Sequence, residues 1–129
     1  MTDFVVYHKP ERMGYEALDV DRLAVYTDKA RQNAMGGRVW LLTGEDTPRK
    51  YLLRAAFVID EVSRSDKADF RTRLSGKSGH FFHPMPVLNA QPWFARFRRS
   101  QGNFAFGFQR VCDAKAVDAL VKLLDTTEL

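Results

Sequence analysis

The run Val39-Trp40-Leu41-Leu42 places four apolar side chains in succession inside residues 38–43, and no other stretch limits the fold so narrowly. A strand sends successive side chains to opposite faces, so an unbroken apolar run of strand length needs cover on both of them. Gly36 and Gly37 precede the run and residues 44–48 turn the chain after it, which marks a buried strand between two breaks.

The rest of the chain is read outward from that strand. Residues 3–8 form a short strand from Phe4, Val5, Val6 and Tyr7, stopped by Pro10, and residues 9–15 form a loop in which Gly14 permits a positive φ. A further strand is expected at residues 23–26, then a helical turn opened by Thr27 and Asp28 that ends before Gly36. Residues 49–63 read as one long strand or two broken near Asp60, and residues 70–74 as another. Pro84, Pro86 and Pro92 forbid a central strand or a regular helix over residues 80–92 and imply an ordered surface loop. Residues 93–100 read as a helix with Pro92 at its first position and with Phe94 and Phe97 on one face. Phe104, Phe106 and Phe108 recur at strand spacing and imply three rings on one sheet face, a core face beneath the last helix rather than a stacking platform. Asp113 caps a final helix to about residue 125, whose stripe Ala116, Val117, Leu120, Val121 and Leu124 marks it as structural. The sum is an α+β chain of about six strands with two or three helices, one domain over residues 1–129.

Charge singles out one window. Residues 70–112 hold seven Lys and Arg and nine Phe and Trp but no Asp or Glu, whereas residues 1–69 hold eleven cations against twelve acids and residues 113–129 two against four. Cations neutralise phosphates and aromatic faces stack on exposed bases, so the window implies a nucleic-acid partner. Apolar residues at 45% and charged residues at 28% fit a globular rather than a disordered or membrane chain. No apolar run approaches the roughly 18 residues that span a bilayer, and no leader pattern opens the chain, so a cytoplasmic location without membrane contact is expected. Cys112, the single cysteine, has no partner for a disulfide and reads as a small core filler.

Catalytic patterns are absent: no GxSxG, GxxxxGK[ST], HExxH or CxxC occurs. His80 and His83 lack nearby acids and a helix to present them, which disfavours a metal site. Neither a metal nor another cofactor is expected, and the chain is not read as an enzyme. The alternative is a small RNA-processing or toxin-like enzyme with His8 or His83 as acid and base, and a third reading is an interaction subunit whose basic face meets an acidic partner. The richer constellation joins residues 7–15 to residues 87–99. It offers Tyr15, Trp93 and Phe94 as stacking faces, Asn89 and Gln91 as amides for a base edge, His8 in the same base pocket, Met13 or Phe94 as the lining of an apolar niche for a methyl group, and Lys9, Arg12, Arg96, Arg98 and Arg99 for phosphates.

The segments YHKPERMGY (residues 7–15), AVYTDKA (24–30), GRVWLLTGED (37–46), YLLRAAFVID (51–60) and PVLNAQPWFARFRRSQGNFAFGFQRV (86–111) resemble PUA-like domains, of the EVE type and of the kind joined to HNH nucleases in modification-dependent restriction. The resemblance implies a small, strongly curved β-barrel flanked by helices. It also implies capture of a flipped, modified base in an aromatic pocket built from residues 8–15 and 86–97. With Trp40 and Trp93 as the only tryptophans, a three-tryptophan cage is not available, and a modified cytosine in DNA, ahead of RNA, is the implied target. The chain shows no nuclease segment, so any cleavage would come from a partner or a fused domain.

Overall fold

The computed structural model describes residues 1–9, 22–29, 31–45, 48–67, 69–105 and 107–128. Arg12, Met13, Tyr15 and Phe106 lie outside the described residues. The chain runs through β1 (Asp3–Tyr7), β2 (Ala24–Thr27), a 3-10 turn (Gln32–Ala34), β3 (Arg38–Glu45), β4 (Lys50–Val58), β5 (Glu61–Arg64), β6 (Thr72–Ser75) and β7 (Gly79–Phe81). It continues through helix α1 (Phe94–Ser100), a second 3-10 turn (Gly102–Phe104), β8 (Gln109–Arg110) and helix α2 (Ala114–Glu128). The α+β class holds, with eight strands rather than six among the described residues. They form a five-stranded sheet in the order β7-β4-β3-β1-β8 and a three-stranded sheet in the order β2-β6-β5, and no closed barrel is found among the described residues.

The apolar run does what its pattern requires. Trp40 and Leu42 enter one core with Val5, Tyr51 and Leu53, while Val39 and Leu41 enter a second core with Phe4, Val6 and Phe57. Rings of α1, the second 3-10 turn and Phe82, with Ala116 and Leu120 of α2, cover the first face; Val25, Leu74 and Val62 of the small sheet cover the second. The large sheet is therefore the middle of three layers, and β3 lies between β4 and β1. β1 and β3 run parallel with Val5 opposite Trp40, an arrangement that needs a long crossover, and the chain between the two strands supplies it.

One ion pair secures that pairing. Asp3, almost fully buried, accepts hydrogen bonds at Oδ1 from Arg38 Nε at 2.7 Å and from the Trp40 indole at 2.9 Å. The Arg38 guanidinium also lies 5.0 Å from the centre of the Trp40 ring. β4 changes parity once: Leu41 faces Ala55 but Leu42 faces Leu53, leaving Arg54 as the extra residue of a bulge. The bulge turns Arg54 inward at 8% exposure, where it donates to the Phe82 carbonyl at 3.2 Å and stacks on Phe81. Desolvation lowers its pKa from the ordinary arginine value.

Several expectations are corrected. Phe104 and Phe108 do not share a sheet face: Phe104 ends a 3-10 turn at positive φ and joins the first core, whereas Phe108 stacks on Phe4 in the second. Residues 80–92 are more than a surface loop. His80 and Phe81 pair with β4, Phe82 and Leu88 are fully buried, and the Pro86 carbonyl accepts from Leu53. A proline lacks a donor but keeps its acceptor, so an edge position tolerates what a central strand would not. Pro92 precedes helix α1 by one residue, because Trp93 is its N-cap. The strand expected at residues 70–74 begins only at Thr72. Cys112 is exposed, since it lies in the link between β8 and α2, where its amide reaches Gln101.

Replacing Asp3 by Ala leaves a buried indole N–H without an acceptor and is expected to lower unfolding stability by about 2–3 kcal/mol, with a smaller loss for Asp3→Asn. Urea titration followed by tryptophan fluorescence measures both.

Candidate nucleic-acid interface

Helix α1 is built on two rings. Phe94 and Phe97, three apart, are buried against the sheet, and helical geometry then turns Arg96 and Arg99 outward, where both are exposed. Half-buried Trp93 meets Phe94 and Phe97 at 6.0 Å between ring centres. Helix α2 begins at Asp113, whose Oδ1 accepts from the amides of Lys115 at 3.0 Å and Ala116 at 3.3 Å, satisfying donors that a helix start leaves open. Ala116 and Leu120 face the core, while Lys115, Asp118, Ala119 and Lys122 face Gln91, Pro92 and Trp93 across an open cleft of about 480 Å³. A volume of this order suits a small ligand.

A chain of aromatic contacts leads from that cleft to a second feature. Phe94 lies 5.2 Å from Tyr51, and Tyr51 meets Tyr7 edge to face at 5.8 Å, with Phe104 behind both. Each tyrosine carries a guanidinium: Arg49 over Tyr7 and Arg98 over Tyr51, each 5.5 Å from the ring centre. Arg49 Nη1 also donates to the Tyr7 hydroxyl. Both groups lie over Gly44, where a Cβ would collide with the Tyr7 hydroxyl and the Arg49 stem, so the absence of a side chain leaves them room.

The residues expected to form the site are brought together only in part. Gln91 and Trp93 share the cleft, and Arg96, Arg98 and Arg99 share α1. Asn89 bonds the backbone: its Oδ1 accepts from the Tyr51 amide at 2.6 Å and its Nδ2 donates to the Arg49 carbonyl at 3.0 Å, so both ends of its amide hold the start of β4. Phe94 and His8 are buried, the first in the core and the second at the end of β1, where its amide donates to the Leu42 carbonyl. Lys9 is half-buried beside it. Met13, Tyr15 and Arg12 fall outside the described residues.

The acid-free window is a property of the sequence, not of the surface. Arg71 and Arg73 belong to the small-sheet side, whereas α1 packs on the opposite face of the large sheet. Two acids from beyond the window close in on it: Asp113 lies 3.9 Å from Arg96, and Asp118 lines the cleft. The Arg96 contact is exposed enough to contribute little.

His8 and His83 do not meet. β7, which precedes His83, and β1, which precedes His8, stand three strands apart in the sheet order, a separation of about 14 Å. His80 packs edge-on against Phe82 at 5.1 Å. Among the described residues no group of three or more His, Cys, Asp or Glu could hold a metal, and no helix is long and apolar enough to cross a membrane.

Sequence reasoning missed Arg49 and Tyr51 because their pairing with Tyr7 and Arg98 is long-range. It also read α2 as structural only. The spacing Lys115, Asp118, Lys122 does place three charged groups on one helical face, but only the tertiary fold sets Trp93 opposite them. Asn89→Ala is expected to reduce stability by about 1–2 kcal/mol and to free the β4 start, seen as faster amide exchange at Tyr51. Asn89→Asp, which keeps the acceptor and loses the donor, is expected to lie between. No family model and no curated protein matches this chain.

Proposed function

We propose that this chain is a nucleic-acid reader of the PUA-like, EVE type that holds one extruded, modified base, a modified cytosine in DNA, in the cleft between Trp93 and α2. The observation that carries the reading is the placement of a half-buried indole beside the Gln91 amide, opposite Lys115 and Lys122, at the foot of an arginine-bearing helix. An indole offers a flat face, an amide and the Asp118 carboxylate offer donor and acceptor groups for a base edge, and the cations meet the phosphates.

The energies are compatible. Extruding a base costs a few kcal/mol, and stacking on an aromatic side chain returns about 1–3 kcal/mol. A methyl group set against Ala119 and Leu123 adds about 1 kcal/mol, close to tenfold discrimination. Asp118 suits cytosine, whose exocyclic amine is a donor. A curved barrel is part of the proposal. In its favour, the chain passes from one sheet to the other without a break in pairing: the Ile59 amide donates to the Gly37 carbonyl beside β3, and the next amide, of Asp60, donates to the Ser75 carbonyl of β6. Nuclease activity, where it accompanies binding, is assigned to a partner or a fused domain.

The test is fluorescence anisotropy with duplexes identical except for cytosine, 5-methylcytosine, 5-hydroxymethylcytosine, adenine or N6-methyladenine at one position. Preference for a modified cytosine that persists at higher salt, with at least tenfold weaker binding by Trp93→Ala, is the expected result. Equal and steeply salt-dependent binding to every duplex, unchanged in Trp93→Ala, would refute base capture.

A further inference from the structure

Arg98 has an unmet need. Its Nε is shielded from solvent and has no hydrogen-bond partner, while its guanidinium carbon lies 5.5 Å from the centre of the Tyr51 ring. A buried donor of this kind requires an acceptor, and ring contact does not provide one in the plane of the guanidinium. Arg31 also keeps a partnerless Nε, but its Nη2 reaches the Phe108 carbonyl, so that side chain is anchored within the fold. Arg98 is steered by an aromatic face alone.

A second guanidinium stands one ring away. Arg49 lies over Tyr7, which meets Tyr51 edge to face, and Asn89 grips the Arg49 carbonyl. An oxyanion placed here accepts from the Arg98 fork and meets a second cation in Arg49. Both are held by packed tyrosines, so little side-chain freedom remains to be lost on binding. Tyr51 touches Phe94, and Phe94 touches Trp93, so the pair of guanidiniums lies a short chain of ring contacts from the stacking face.

We propose that Arg98 and Arg49, seated on Tyr51 and Tyr7, form an oxyanion site that takes a phosphate of the bound strand next to the extruded nucleotide. The assignment rests on the reader function above, but the experiment separates the two. In the whole protein, the Arg98 Nε–H resonance is followed by 15N-edited NMR during titration with inorganic phosphate against a sodium chloride control. A saturable shift in the wild type that is weakened in Arg49→Gln is expected. In parallel, duplex binding is measured against salt for the wild type, Arg98→Gln and Arg98→Lys, the last retaining the stem over Tyr51. Arg98→Gln is expected to weaken binding about tenfold at low salt and to lower the magnitude of the salt slope by about one, as loss of one phosphate contact does, with the base preference unchanged. Arg98→Lys should recover the slope but not the full affinity. An unmoved Nε signal with an unchanged slope, in a protein that still prefers one base, overturns the oxyanion site and leaves the reader intact. A saturable phosphate shift in a protein that binds neither duplex nor single strand overturns the strand as source of the phosphate, and the reader with it.

Discussion

Everything in this fold depends on a strand that has no solvent side. β3 sends Trp40 and Leu42 into one core and Val39 and Leu41 into the other, so neither covering layer is dispensable. Each of these side chains contributes on the order of 1.5–3 kcal/mol by burial, and the loss of either layer would expose two of them at once. Asp3 fits the same logic: it satisfies the Trp40 indole inside the protein and binds Arg38 in the same register, so one carboxylate joins β1 to β3 where the core is densest.

The candidate interface follows from how that central sheet is covered. One face receives helices and the aromatic segment between β7 and β8, and all the rings that connect Trp93 to Tyr7 lie on that side. The bulge at Arg54 lets Tyr51 and Leu53 face the first core while Ala55 and Phe57 face the second. A strand of strict alternation could not supply both sets. Asn89 then ties the loop to the start of β4, which places Arg49 over Tyr7. The site thus draws on β1, β4, α1, α2 and a loop, none of which carries it alone.

Local patterns were legible where local physics decides. The buried strand at residues 38–43, the Asp113 cap and the inward pair Phe94 and Phe97 each rest on neighbours within a few residues, and each stands in the structure. The Phe104–Phe108 spacing misled for a definite reason. Residues 102–104 take positive φ and Gly107 does likewise, so the chain turns instead of extending, and the two described rings go to opposite cores. The window without acids misled for another: a sheet lies between its parts, and Asp113 and Asp118 approach from a helix that comes later in the chain.

Sequence alone determined the class of the fold, the strand that must be covered twice, the helix that ends the chain and the excess of cations among aromatic residues. These depend on period, composition and caps, which are properties of short segments. Tertiary structure decided which cations share a surface, that Asn89 bonds the backbone of Tyr51 and Arg49, and that Lys115 and Lys122 face Trp93. It also set Arg98 on Tyr51 with its Nε unsatisfied. Such facts depend on contacts between residues tens of positions apart, and nothing in the spacing along a chain encodes which faces will meet once two cores are packed against one sheet.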